Sequence, residues 1–249
     1  FFYNSGPGYP SVLFLMVARH ADDPLGFRLA WPFQSENVRY VARNLAYGVK
    51  IWDPTTSTWD SWIDQTMVSQ PSELAADASG KDIQVVTVEL KAPRPGTYRF
   101  ELGPGGDQAS LGSLAFDPGG KRKYDTANGG FTYVTQATGF TQPAVYIYIP
   151  KGTKSLDLEV WDHRKGKYIQ FYSGLPATKP TPTRKVDVSA MATHTIKLQP
   201  GEDGTIAAIS GNLFAFPYLY SVPTYWAKSP SALLIPRDIA EADGLTVLE

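Results

Sequence analysis

The sequence predicts an all-β protein made of two packed β-sandwich domains, of jelly-roll or immunoglobulin-like type, with few and short helical turns. Three observations carry that expectation. The chain of 249 residues contains 22 Gly and 20 Pro, which implies many turns and few long helices. Its apolar residues recur at strand length and strand period, in segments that stop at turn residues. Those segments fall into two sets on either side of DPGGKRKYDTANGG at 117–130, which has almost no apolar periodicity. A boundary there gives an N-terminal domain over 1–120 and a C-terminal domain over 131–249, and the length is compatible with two domains.

In chain order, the first set comprises SVLFLMVAR, GFRLAWPF, NVRYVARNLAYGVKIW, DIQVVTVEL, GTYRFELG and ASLGSLAF. Between the last strands of NVRYVARNLAYGVKIW and DIQVVTVEL, SELAADASG offers Ser72 as a cap and Gly80 as a stop for a short helical turn. The second set comprises AVYIYIP, KSLDLEVWD, KYIQFYS, RKVDVSA, HTIKLQP, GTIAAIS and NLFAFPYLY. Within it, SGLPATKPTPTRK at 173–185 is a long irregular connection, expected to cross from one sheet to the other rather than to form a binding loop. Near the end, Ser229 precedes Pro230, and Pro236 opens a turn that Gly244 closes.

One design recurs three times, as VTVELKAPRPGTYRFELG at 86–103, VYIYIPKGTKSLDLEVWD at 145–162 and HTIKLQPGEDGTIAAISG at 194–211. Each is a strand, a Pro/Gly turn and a second strand. Pro cannot donate to a ladder and Gly accepts positive φ, so together they end one strand and reverse the chain without strain. The stretch 140–211, with its Pro-x-Gly-Thr turn between alternating strands, resembles bacterial pre-peptidase C-terminal type domains and related β-sandwich carbohydrate-binding modules. The resemblance implies a non-catalytic sandwich appended to large exported bacterial enzymes or surface proteins. It transfers fold and setting, and no binding residue of that family.

Charge and composition exclude several function classes. With 23 basic against 24 acidic residues, no net field draws nucleic acid or an anionic membrane surface. The absence of Cys removes disulfides, thiolate zinc sites and Cys nucleophiles. The longest apolar run, VLFLMVA at 12–18, falls far short of the ~20 residues that span a bilayer. The chain opens at Phe1 without Met, as a mature or excerpted fragment would, and the resemblance implies a secreted or cell-surface location for it.

Catalytic signatures are missing as well. His20, His163 and His194 stand alone, with no His-x-x-x-His pair. A His, Tyr and Arg gathered on a sheet face is lyase chemistry, and His20, Arg28, Arg39 and Tyr40 could be imagined that way, but their spacing gives no support to it. No Gly-x-Ser-x-Gly occurs; SLGSLAF lacks the second Gly. Paired carboxylates of a hydrolase would have to meet in space. A polysaccharide lyase or glycoside hydrolase is therefore the third-ranked reading. No cofactor is expected. A structural calcium is the alternative use of Asp22, Asp23, Asp53 with Asp60, or Asp117, although Asp23, Asp53 and Asp117 each precede Pro as turn-forming residues do.

The aromatic clusters are what remains. WDPTTSTWDSW places Trp52, Trp59 and Trp62 within a polar, turn-prone stretch. Trp52 continues the strand VKIW and is expected to be buried. Exposed indoles stack on the C–H face of a sugar ring, which suits Trp59 and Trp62. In NLFAFPYLYSVPTYWAKSP the first half is apolar on both strand faces and reads as a covered strand. The second half offers Tyr225 and Trp226 on a wet rim. The leading expectation is non-catalytic polysaccharide binding through Trp59, Trp62, Tyr225 and Trp226; the alternative is an assembly domain in which the same rings dock neighbouring domains.

Overall fold

Strands make up nearly all of the regular structure in the computed structural model, which describes residues 12–32, 45–68, 73–76, 82–104, 115–117, 130–131, 140–141, 145–160, 166–173, 182–188, 192–213, 218–223, 226–227 and 229–246. The chain divides into two units, one of Phe1–Ile51 with Ser61–Lys123 and one of Trp52–Asp60 with Tyr124–Glu249. The second unit thus contains a non-contiguous piece, which a single boundary between 120 and 131 does not provide for.

The elements of the first half are β1 (Val12–Ala18), β2 (Pro24–Pro32), β3 (Leu45–Asp53), β4 (Thr58–Val68), β5 (Glu73–Ala76), β6 (Asp82–Lys91), β7 (Gly96–Pro104) and β8 (Ala115–Asp117). They form sheets of order β1-β7-β3-β4 and β5-β6-β2-β8. The second half has β9 (Gly130–Phe131), β10 (Phe140–Thr141), β11 (Val145–Ile149), β12 (Ser155–Val160), β13 (Tyr168–Tyr172), β14 (Arg184–Asp187), β15 (Ala192–Lys197), β16 (Thr205–Leu213), β17 (Tyr218–Leu219) and β18 (Trp226–Ala227). A 3₁₀ turn at Pro230–Ala232 and helix α1 at Arg237–Ala242 follow. Here the sheets are β14-β13-β16-β11-β18-β9, with β10 also on β16, and β15-β12-β17.

These two sets have the same wiring. Reading β1-β7-β3-β4 beside β11-β16-β13-β14, and β6-β2-β8 beside β15-β12-β17, every strand has its counterpart in chain order. In both, the first strand pairs antiparallel with the last long one, β1 with β7 and β11 with β16. The second pairs with the strand before that, β2 with β6 and β12 with β15. The second unit lacks a counterpart of β5 among its described strands, and adds β9, β10 and β18.

The Pro/Gly turns produce this wiring. Each of the three repeated units reverses the chain but delivers it to the other sheet: β6 to β7, β11 to β12, and β15 to β16 all join strands of different sheets. Pro93 and Pro95, Pro150, and Pro200 stand where a hairpin would need ladder donors, so the adjoining strands cannot zip together. Positive φ at Gly152 (82°), Gly201 (85°) and Gly204 (67°) turns the backbone across. The crossing turns also come in bonded pairs. In the first unit Asp22 N–H donates to Ala92 O at 2.8 Å and Ala92 N–H to Asp23 O at 3.0 Å. In the second, Leu198 N–H donates to Lys154 O at 3.0 Å and Gly152 N–H to Asp203 Oδ2 at 2.8 Å.

Strand alternation places the cores between the sheets. In the first unit Phe27 of β2 meets Phe100 of β7 and Tyr47 of β3 edge-on, both at 6.0 Å. In the second, Ile147, Ile149, Ile169, Phe171 and Ile209 of one sheet share a buried cluster with Leu156, Leu158, Val160, Ile196 and Leu219 of the other. The C-terminal helix is fastened to β11. The Tyr148 hydroxyl donates to Asp243 Oδ2 at 2.6 Å, and Lys151 donates to the same carboxylate through its backbone N–H at 2.9 Å. Pro236 and Gly244 bracket that helix as expected, with φ of 69° at Gly244.

Three expectations are corrected. Residues 73–76 of SELAADASG are strand β5 rather than a helical turn, because pairing with β6 overrides the local preference of an Ala-rich segment. The connection at 173–185 does not cross between sheets, since β13 and β14 on its two sides are neighbours, Tyr168 opposite Asp187 and Phe171 opposite Arg184. NLFAFPYLY is not one strand: β16 ends at Leu213, and β17 resumes at Tyr218 in the other sheet, with Leu219 buried. Residues 214–217 lie outside the described ones.

Two substitutions test the frame. A Cβ at Gly26 would sit 2.1 Å from Val88 O on the paired strand, so Gly26→Ala should cost about 3 kcal/mol in urea unfolding, the upper end for overpacking. Burial and the Asp243 carboxylate raise the Tyr148 pKa above its ordinary 10.0. The stability this represents is complete below pH 10 and drains away as pH rises further toward the folded-state value. Tyr148→Phe should flatten that alkaline loss and cost about 1 kcal/mol at neutral pH, measured by denaturant titration at a series of pH values.

Candidate functional site

The seven-stranded sheet has one face in the core and an opposite face of different character. Along β13 the core side is Ile169 and Phe171, fully buried, so alternation puts Tyr168, Gln170 and Tyr172 on the outer side. The register extends this face across the sheet. Tyr172 and Tyr146 both lie opposite Ala208, one on each flank of β16. Gln170 lies opposite Ser210 on one side and Lys185 on the other. With neighbouring strands about 4.8 Å apart, Tyr172, Ala208 and Tyr146 make a row about 10 Å long with a small residue at its centre.

Hydrogen bonds fix the centre of the face. Gln170 Oε1 accepts from the Tyr172 hydroxyl at 3.2 Å and from the Ser210 hydroxyl at 3.3 Å, and the two hydroxyls are 3.2 Å apart. Tyr172 and Ser210 are buried, while Tyr146, Tyr168 and Gln170 are half-buried. Lys185 Nζ stands 4.2 Å from the centre of the Tyr168 ring, a cation–π contact that steadies the ring from one side. The start of β13 is held by Asn212, whose Oδ1 accepts from Tyr168 N–H at 2.8 Å and whose Nδ2 donates to Gly166 O at 3.1 Å. Tyr148, on the same face of β11, is occupied by Asp243.

The rings singled out from the sequence lie elsewhere. Trp226 is fully buried in the second unit's core, because β18 pairs with β11 and β9 and its indole enters the cluster with Ile147 and Trp52. That corrects its placement on a wet rim: no ring face is left for a sugar. Trp52 is fully buried, as its continuation of VKIW implied. Trp59 is half-buried, packed on the same cluster and edge-on to Trp52 at 5.1 Å. Trp62 is half-buried and edge-on to Tyr98 at 5.4 Å. Trp59 and Trp62 are three residues apart on β4, so they leave the strand on opposite faces and cannot form one stacking row. Tyr225 lies outside the described residues. The residues of the sheet face were missed although YIQFY carried the signal: Tyr and Gln alternate there with Ile and Phe.

Of the acidic candidates, Asp23 and Asp53 serve turns, while Asp60 and Asp117 lie in strands β4 and β8. Asp53 Oδ1 accepts from Thr55 N–H at 2.8 Å and Oδ2 from Thr56 Oγ1 at 3.0 Å; the Thr55 N–H above all holds the carboxyl below its usual range. Asp23 Oδ2 accepts from the backbone N–H of Arg19 at 2.7 Å and of His20 at 3.0 Å. Among the described residues no group of three or more His, Cys, Asp or Glu could hold a metal ion. No described helix is long and apolar enough to cross a membrane. His163, Arg39 and Tyr40 lie outside the described residues. Comparison with known protein families, with curated proteins and with solved structures gives no match.

The contrast between core and face is measurable. Trp226→Ala should destabilise the protein by about 3–5 kcal/mol in urea unfolding, as core aromatic truncations do, whereas Tyr168→Ala should cost about 1 kcal/mol.

Proposed function

We propose that both units are β-sandwiches of jelly-roll connectivity, and that the chain is a non-catalytic polysaccharide-binding module whose contact surface is the outer face of β13, β16 and β11. One observation carries this reading. The strands the two units share are wired alike, yet the units differ at this face: in the first, β1, β7 and β3 place buried Leu15, Thr97 and Arg99 there with half-buried Glu101 and Lys50, Arg99 paired to Glu101 at 2.7 Å and Lys50 at 3.3 Å from the same carboxylate. The tyrosines, Gln170 and Ser210 of the second unit are therefore not a requirement of the fold.

Their chemistry fits an uncharged sugar chain. Phenol rings offer flat apolar area with a polar tip, and the amide and hydroxyls beside them match sugar hydroxyls. Lys185 with Asp187 leaves the face without a net charge for a polyanion. The setting that accompanies this reading is an exported bacterial protein, which rests on the resemblance of the 140–211 turns.

Affinity electrophoresis through gels containing barley β-glucan, xylan, galactomannan, hydroxyethylcellulose or pectin tests it. At least one neutral gel should retard the protein, and Tyr168→Ala or Tyr146→Ala should weaken retardation several-fold with the fold intact by circular dichroism. Retardation in none of them would sink the proposal. If instead light scattering finds an oligomer that the same two substitutions dissociate, the face is an assembly surface.

A further inference from the structure

Gln170 occupies the centre of the proposed face, flanked on its own strand by Tyr168 and Tyr172. Its carbonyl oxygen is engaged twice, by the hydroxyls of Tyr172 and Ser210. With Oε1 accepting from both buried hydroxyls, Nε2 is the branch of the amide left over. That nitrogen has no partner among the described residues, and it is not one of the sealed polar atoms of the structure. A side chain with a rotatable, solvated amide would present donor and acceptor interchangeably; this one presents two N–H donors.

We infer that Gln170 is the specificity-determining residue of the proposed sugar-binding face, donating through Nε2 to a hydroxyl or ring oxygen of a sugar stacked beside it on Tyr168. The inference rests on the polysaccharide-binding reading and adds a direction to its central hydrogen bond. Tyr172 and Ser210 act as positioning residues, through Gln170. The arrangement is preorganised by β14 and β16, which pair with β13 on both sides, so little ordering remains to be done on binding.

The direction of the bond separates this inference from the reading beneath it. Gln170→Glu is nearly isosteric and keeps an oxygen for Tyr172 and Ser210, but replaces the outward donor with an acceptor. In the gel of whichever of the five polysaccharides retards the unaltered protein most, Gln170→Glu should lower affinity about tenfold or more, Ser210→Ala several-fold less, and Tyr168→Ala should also weaken it. Thermal melts of each variant verify folding. Unchanged retardation of folded Gln170→Glu beside a weakened Tyr168→Ala would overturn the donor role and leave the sugar-binding reading standing. If the unaltered protein is retarded by none of the polysaccharides, both fall.

Discussion

The architecture depends on turns that carry the chain from one sheet to the other while keeping its apolar side inward. A turn between neighbouring strands extends a sheet; a turn between sheets builds a layer opposite it, and only the second makes a core. Here the change of layer is achieved over a few residues by Pro, which withholds a ladder donor, and by Gly at positive φ. Because a crossing turn leaves its backbone groups without a strand partner, they bond to the next crossing turn: Ala92 to Asp22 and Asp23, Leu198 to Lys154, Gly152 to Asp203. Glu202, nearly buried, completes the second pair by accepting from Gln199 N–H at 2.7 Å and from Arg184, whose guanidinium also stands 4.7 Å from the Phe171 ring centre. The turns are thus the joints of the fold rather than its loose ends.

Two units wired alike by the same device provide an internal comparison. Core positions keep their character, with rings and aliphatic residues between the sheets in both. The face turned away from the core on the corresponding sheets does not: Arg99, Glu101 and Lys50 in one, Tyr168, Gln170, Tyr172 and Ser210 in the other. A stable fold needs the inner face and tolerates wide choice on the outer one, so differences there reflect what each surface meets.

Much of this is legible in the sequence, and what is not has a physical cause. The Pro/Gly turns, the strand segments and the C-terminal bracket of Pro236 and Gly244 are local properties, set by φ preferences of single residues. Partnership is not local. Pro150 and Gly152 announce a turn, yet nothing in them says that the next strand pairs with β15 and not with β11. Residues 73–76 look helical until β6 supplies a ladder. Trp226 sits among Pro, Thr, Lys and Ser, a wet neighbourhood in sequence, and is taken into the core because a two-residue strand beside Tyr146 draws it in. Tyr168, Gln170 and Tyr172 were the reverse case, polar and aromatic residues inside a short strand whose alternation marks one side as wet.

Where a ring stands decides how well it can hold a ligand. Trp59, at the end of a turn containing Ser57 at φ 54°, turns toward Trp52 and serves packing. Tyr168 has its backbone fixed by a ladder, its N–H held by Asn212 and its ring steadied by Lys185, so its orientation is set before any ligand arrives. A phenol has two side-chain torsions to fix, and here the fold has already restrained them, whereas a ring in a free turn would lose that entropy on binding. By that argument, aromatic density in a sequence is a weaker guide to a sugar-binding surface than one ordered strand that alternates rings and amides against a buried apolar side.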